Sequence, residues 1–419
     1  MNTLTVLFLA MLAASLILRG GLIARQIRHV SRHRDRVPPA FASRIDPAQH
    51  ARAAAYTIAQ SRFALVQMAV ETAVLLAMTL AGGIDALAGW WQEQSMDVVL
   101  RDVGLVASAM VLASMAEWPL ELYRKFVLEQ RFGFNTMRLK DFLRDTVLQA
   151  LVAAVLGLPL LFAILWLLHR AGPTWWLYAW LVWAGFNVLV LAVYPVFIAP
   201  LFNRFQALDD PALQERIEAL LARCGFSARG VFVMDGSRRS RHGNAYFTGF
   251  GRSRRIVLFD TLLQHLQPEQ IEAVLAHELG HFHYRHVVRR LVWMFALSLV
   301  LLWGAARCMQ SGWFYAGLNV QHASQAAGLL LFFFILPVFV FPFRLLVSFL
   351  SRRDEFQADR YAARQSGAEA LVEALVRLYR DNASTLTPDP WYSLFYDSHP
   401  NAQQRVARLL ALAHEKQPA

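Results

Sequence analysis

Seven stretches of the chain are apolar over about the 20 residues that a helix needs to cross a bilayer. They run roughly over 2–19, 62–82, 102–120, 147–168, 175–197, 291–307 and 326–349. Between and after them the pattern changes. PALQERIEALLARCGF has apolar positions at helical spacing and ends at a glycine. VFVMDG, NAYFTGF and RIVLFD are short β-rich runs, the last two separated by GRSRR as strands of a hairpin would be. LQPEQIEAVLAHELGHFHYRH then predicts a helix, with Pro268 suited to its first turn and Glu269 and Glu272 near the positive end of its dipole. The expected fold is a mainly α membrane protein with seven transmembrane helices and an α+β soluble part. Residues 1–199 hold spans one to five, 200–290 the first soluble segment, 291–349 spans six and seven, and 350–419 the second soluble segment.

Charge orients these spans, because basic loops stay in the cytoplasm. Arg25, Arg28, Arg32, Arg34 and Arg36 follow the first span; Arg124, Lys125, Arg131, Arg138, Lys140 and Arg144 follow the third. The segments 200–290 and beyond 350 are also arginine-rich, whereas GGIDALAGWWQEQSMD, HRAGPT and RCMQSGWFYAGLNVQHASQA carry little positive charge. Both soluble segments are therefore expected in the cytoplasm, with the N-terminus outside. The net charge of +11 follows from this topology, so no nucleic-acid partner is inferred. A chain that is 56% hydrophobic is not an ordinary soluble domain. Its first apolar run has its positive charges after it, which predicts a retained span rather than a signal peptide. Cys224 and Cys308 fall on opposite sides of the membrane and should not pair. The Arg, Ala and Leu bias suggests a bacterial source, and hence a multi-pass protein of the inner (cytoplasmic) membrane.

The chemistry is concentrated in His277-Glu278-Leu279-Gly280-His281. Positions i and i+4 of a helix share one face, so both imidazoles can bind one zinc while Glu278 leans over it. His283 and His286 lie at other spacings and read as polar surface residues. A catalytic zinc takes three protein ligands and leaves a position for water. The third is expected in SRRDEFQADRYAA, where Glu355 would bind metal while Asp359, one turn on, hydrogen-bonds a ligating histidine and fixes its tautomer. Glu71, Glu117 and Arg344 interrupt apolar segments; they should face a wet interior or one another, or, for Glu117 and Arg344, reach the membrane edge.

With these motifs on the page the chain resembles the type I CAAX prenyl endopeptidases, seven-span membrane zinc proteases. The resemblance runs in order through EQRFGFNTMRLKDFLRD, FIAPLFNRF, DGSRRSRHGNAYFTGF, RIVLFDTLL, AHELGHFHYRH, DEFQADRYA and DSHPNAQQR. It implies that the seven transmembrane helices form a barrel around a water-filled chamber, with one zinc on His277, His281 and Glu355 near its cytoplasmic end. It also implies that Asn244 and Ala245 lie on an edge strand along which substrate is laid, and that His399 and Arg405 complete the site. An exposed sheet edge does hold extended peptides, and a His and an Arg would help stabilise an oxyanion. On spacing alone, SHPNAQQR is a helix start with a surface arginine.

The expected reaction is hydrolysis by zinc-activated water with Glu278 as general base. Its substrates would be peptides or proteins, lipid-modified or otherwise threaded into the chamber, met in contact with membrane lipid. A quality-control protease for membrane proteins is the competing enzyme. A transporter or scaffold would call for a degraded metal site or paired inverted repeats, and neither is evident.

Overall fold

The computed structural model describes residues 2–249 and 255–414. Each apolar stretch lies largely within a helical segment that runs beyond it at one end or both, and seven such segments are long and apolar enough to cross a membrane. The first five comprise α1 (Thr3–His33), α2 (Pro47–Met78), α4 (Val98–Tyr123), α5 (Leu139–Arg170) and α6 (Trp175–Val193), with a short α3 (Gly83–Gln92) between α2 and α4. A π-helical turn, Tyr194–Ile198, and a four-residue α7 (Ala199–Phe202) follow α6. α2 and α5 have 32 residues each. At 1.5 Å per residue that is about 48 Å, against about 30 Å of hydrocarbon. Hydropathy reports only the lipid-buried part; the polar ends remain helical and stand beyond it as walls.

The soluble part follows as β1 (Phe205–Ala207), α8 (Pro211–Arg223), β2 (Val231–Met234), β3 (Ala245–Thr248), β4 (Arg255–Phe259), α9 (Asp260–His265) and α10 (Pro268–His283). The sixth span is α11 (His286–Met309), followed by a short α12 (Gly312–Gly317). The seventh comprises α13 (Gln325–Val340), a 3-10 turn at Phe341–Phe343 containing Pro342, and α14 (Arg344–Gln365), which runs on out of the apolar region. The chain closes with α15 (Ala368–Asp381), α16 (Pro390–Tyr396) and α17 (Ala402–His414).

The spans close into a ring: α1 packs on α2, α2 on α4, α4 on α5, α5 on α6, α6 on α11, α11 on α13, and α13 on α1. Lipid is as apolar as the helices, so packing rather than the hydrophobic effect holds them. Small buried residues, Ala305 and Ala306 of α11 and Ala326 and Ala327 of α13, permit close approach. One end is filled by Phe8, Ile84, Leu105, Leu165, Phe314 and Leu331, with α3 and α12 among the contributors. Toward the other end lies a cavity of about 1070 Å³, bordered by Gln26, Tyr56, Asn244, Asn382, Tyr392 and His399.

Strand order is β1-β2-β4-β3, which leaves β3 as an edge. β3 and β4 pair antiparallel with Ala245 opposite Leu258, as the predicted hairpin requires; its connection, 250–254, lies outside the described residues. A core of Ile217, Leu258, Leu275, Leu371 and Val406 joins the sheet to α8, α10, α15 and α17. Truncating such a residue to Ala typically costs about 2–5 kcal/mol. The polar interruptions resolve individually. Glu71 pairs with Arg19 across α1 and α2 at 3.1 Å, Arg344 lies over the Tyr396 ring at 4.7 Å, and Glu117 is exposed. Both cysteines are free.

Candidate metal centre

α10 starts where its sequence says. Pro268 occupies the first turn, and Gln267 and Gln270 form reciprocal capping bonds. Ile271, Leu275 and Leu279 bury one face in the core. That leaves His277, Glu278 and His281 toward α14, which crosses closely because of Gly280: a Cβ there would lie 2.9 Å from the Ala358 Cα and 3.1 Å from its carbonyl oxygen. Glu355 and Asp359, on the same face of α14 as Ala358, therefore arrive beside the histidines.

Two ring nitrogens and both oxygens of one carboxylate converge. His277 Nε2 is 3.2 Å from His281 Nε2 and 3.4 Å from Glu355 Oε2, and His281 Nε2 is 3.4 Å from Glu355 Oε1. Tetrahedral bonds of about 2.0–2.1 Å to zinc separate their ligand atoms by about 3.3 Å.

The surrounding hydrogen bonds fix which nitrogen of each neutral ring faces the group. His277 Nδ1 lies 2.9 Å from Asp359 Oδ1, which can only accept from the ring, so in the neutral ring that metal binding requires Nε2 is bare. Burial opposes protonation, but without metal Asp359 and Glu355 outweigh it and raise the ring's pKa to about 9. On the other ring, Gln357 Oε1 accepts from His286 Nε2 at 2.9 Å. The neutral His286 ring then has an unprotonated Nδ1, which accepts from His281 Nδ1 at 2.9 Å and leaves His281 Nε2 bare as well. Glu355 Oε2 is buried without a hydrogen-bond partner among the described residues. With both rings neutral, two lone pairs and a carboxylate face one another at these distances, and a cation between them relieves their repulsion. The donor set and its spacing fit zinc.

His283 is exposed, as its spacing predicts; His286 is not a surface residue but 1% exposed. The reason is backbone conformation. Arg285 takes φ 55°, which ends α10 and turns the chain so that α11 begins with His286 facing back onto His281. Helical spacing cannot reveal such a reversal.

The remaining predicted residues surround this group. Half-buried Glu278 has its carboxyl pushed above the usual range by burial, with His277 and His281 opposing. His399 is largely exposed, its Nε2 3.4 Å from Glu355 Oε1, and it borders the cavity. Arg405 is not the surface arginine that spacing alone suggests. It is 6% exposed on α17 and donates two hydrogen bonds to Asp359, at 2.9 and 2.6 Å. It thus sits behind His277, pinning the carboxylate that orients that ring. Asn244 precedes the edge strand and borders the cavity; its Oδ1 accepts from Ala245 N–H at 2.8 Å. Across the cavity Tyr56 donates to Glu129 at 2.6 Å, and His242 stacks on Phe134 with centroids 4.4 Å apart. No spacing in EQRFGFN singles these residues out, since their partners lie on distant elements.

Comparison with known proteins places the chain in a family. Residues 26–204 match the family described as CAAX prenyl protease N-terminal, five membrane helices, and residues 207–413 match peptidase family M48. A CAAX prenyl protease 1 homolog of Oryza sativa subsp. japonica is 34% identical over 85% of this chain and 86% of its own. CAAX prenyl protease 1 of Saccharomyces cerevisiae is 33% identical over 75% and 72%. The crystal structure of S. mikatae Ste24p superposes with a TM-score of 0.91 at 28% identity, covering 98% of this chain and 99% of that one.

Proposed function

The chain belongs to peptidase family M48 and is a multi-pass membrane zinc metalloendopeptidase, and from that premise we propose that it cleaves lipid-modified peptides or proteins near their C-termini. The observation that carries hydrolysis is the convergence of His277 Nε2, His281 Nε2 and the Glu355 carboxylate at 3.2–3.4 Å, with Glu278 adjoining. One zinc per chain, held by His277, His281 and Glu355, would acidify water and polarise the scissile carbonyl.

The protein groups do the rest. Substrate adds to the open edge of β3, its backbone held beside Asn244 and Ala245, a reading supported by the edge position of this strand and the adjoining cavity. Glu278 accepts the proton of the attacking water and delivers it to the departing amine nitrogen. Its burial raises its proton affinity above that of an exposed carboxylate, which suits both transfers. No covalent enzyme intermediate forms, because water is the nucleophile. His399, facing the cavity, donates to the oxyanion as charge develops. Asp359 and Arg405 keep His277 oriented. The site faces the cytoplasm, on the inner membrane if the source is bacterial; the arginine-rich loops support that orientation.

The substrate class is supported by the relatives, which are CAAX prenyl proteases, and the same similarity disfavours a quality-control protease or a transporter. The test is to incubate detergent-purified protein with matched farnesylated and unmodified peptides and locate the cuts by mass spectrometry. Preferential cleavage of the lipidated peptide near its C-terminus is expected. Equal cleavage of both would remove the lipid from the account, and no cleavage of either would contradict the substrate class.

A further inference from the structure

The two faces of the sheet differ. Phe247 of β3 packs against Phe282 of α10, with ring centroids 5.4 Å apart. By strand alternation Tyr246 and Thr248 point to the opposite face. There the register sets Tyr246 beside Val257 of β4, and Val257 beside Phe232 of β2. An apolar row thus crosses the sheet perpendicular to its strands and ends at the open edge. Val257 is buried within the row, while Phe232 and Tyr246 keep part of their surface. Along this row runs a groove of about 580 Å³, whose other wall is the irregular end of the fifth span at Tyr194, Pro195 and Pro200. Tyr194 is 48% exposed and its neighbour Phe197 67%, so this wall continues into the apolar outer surface of the span.

We propose that this groove receives the lipid of a lipid-modified substrate. The proposal rests on the reading that substrate adds as a strand to β3. In such a strand the residue opposite Tyr246 projects on the same face and prolongs the row from Phe232 through Val257 to Tyr246. An apolar chain on that residue folds back across three strand spacings of about 4.8 Å, about 14 Å in all. Because one wall is a membrane helix, the chain passes from bilayer to groove without crossing water. Arg255, whose guanidinium lies 5.3 Å from the Phe232 ring centroid, gives the groove a polar rim. Peptide and lipid therefore bind to different surfaces, the first to the strand edge and the second to the sheet face.

The test uses Phe232→Gln and Tyr194→Ser, which lie outside the β3 edge and the metal centre, with matched farnesylated and unmodified peptides. Each variant should raise KM for the farnesylated peptide about tenfold, the scale of losing one apolar side-chain contact. Its kcat, the KM of the unmodified peptide and the zinc content should stay at wild-type levels. Variants that retain the wild-type preference for lipid overturn the groove alone, leaving it to a resident phospholipid or to nothing. Equal losses on both peptides also overturn it, since the residues would then act on the fold or the strand edge. A wild-type enzyme with no preference for lipid overturns the substrate reading and the groove with it.

Discussion

His281 and His277 each depend on a buried partner that decides which ring nitrogen is bare. Asp359 serves His277, with Arg405 behind it; His286 serves His281, with Gln357 behind it. Such partners typically contribute about 10- to 100-fold in metal affinity. Asp359→Ala and His286→Ala should therefore each weaken zinc binding by that factor in chelator competition, whereas Glu355→Ala should lose the metal. Undiminished affinity in His286→Ala would show that its contact with His281 is incidental. The ligand pattern was legible because i, i+4 spacing on a helix dictates a shared face, and Glu355 and Asp359 follow the same rule on α14. His286 was not legible, because its position depends on one left-handed backbone angle at Arg285. Arg405 was legible only through resemblance; nothing in SHPNAQQR reveals that it reaches Asp359 from another helix.

Two helices, α10 and α14, must cross closely for the ligand set to assemble, and Gly280 sets that distance. Gly280→Ala would gain up to about 1 kcal/mol in helix propensity. Against this, overpacking a tight contact typically costs about 1–3 kcal/mol, and here the obstacle is the Ala358 backbone, which cannot rotate away. The steric cost should win: lower thermal stability together with lower zinc content. A variant with unchanged stability and zinc content would mean that the helices tolerate separation. At this scale hydrophobic patterning found the centre of every span and the strands on either side of the hairpin. It underestimated helix lengths, since polar residues beyond the bilayer remain good helix formers. It also gave no sign that the last span breaks at Phe341–Phe343.

Ring, cavity and soluble part form one device: spans enclose the space, the sheet edge borders it, and the seventh span continues as α14 to carry a metal ligand. The proposed orientation rests on arginine distribution, and it predicts that a reporter fused to the C-terminus is active on the cytoplasmic side only. Activity on the outer side alone would reverse the facing of the site. Which helix neighbours which was not readable from the chain, because span order constrains ring order only through packing of small residues such as Ala305 and Ala326. The central claim concerns Glu278, which acts on water without holding metal. Glu278→Gln preserves shape and leaves His277, His281 and Glu355 intact, so the purified variant should contain about one zinc per chain and still bind peptide. Its rate of peptide cleavage, measured alongside its zinc content, should fall about 100- to 10,000-fold, the usual scale for a general base. A variant that keeps its zinc and cuts peptide at near the parental rate would contradict the mechanism.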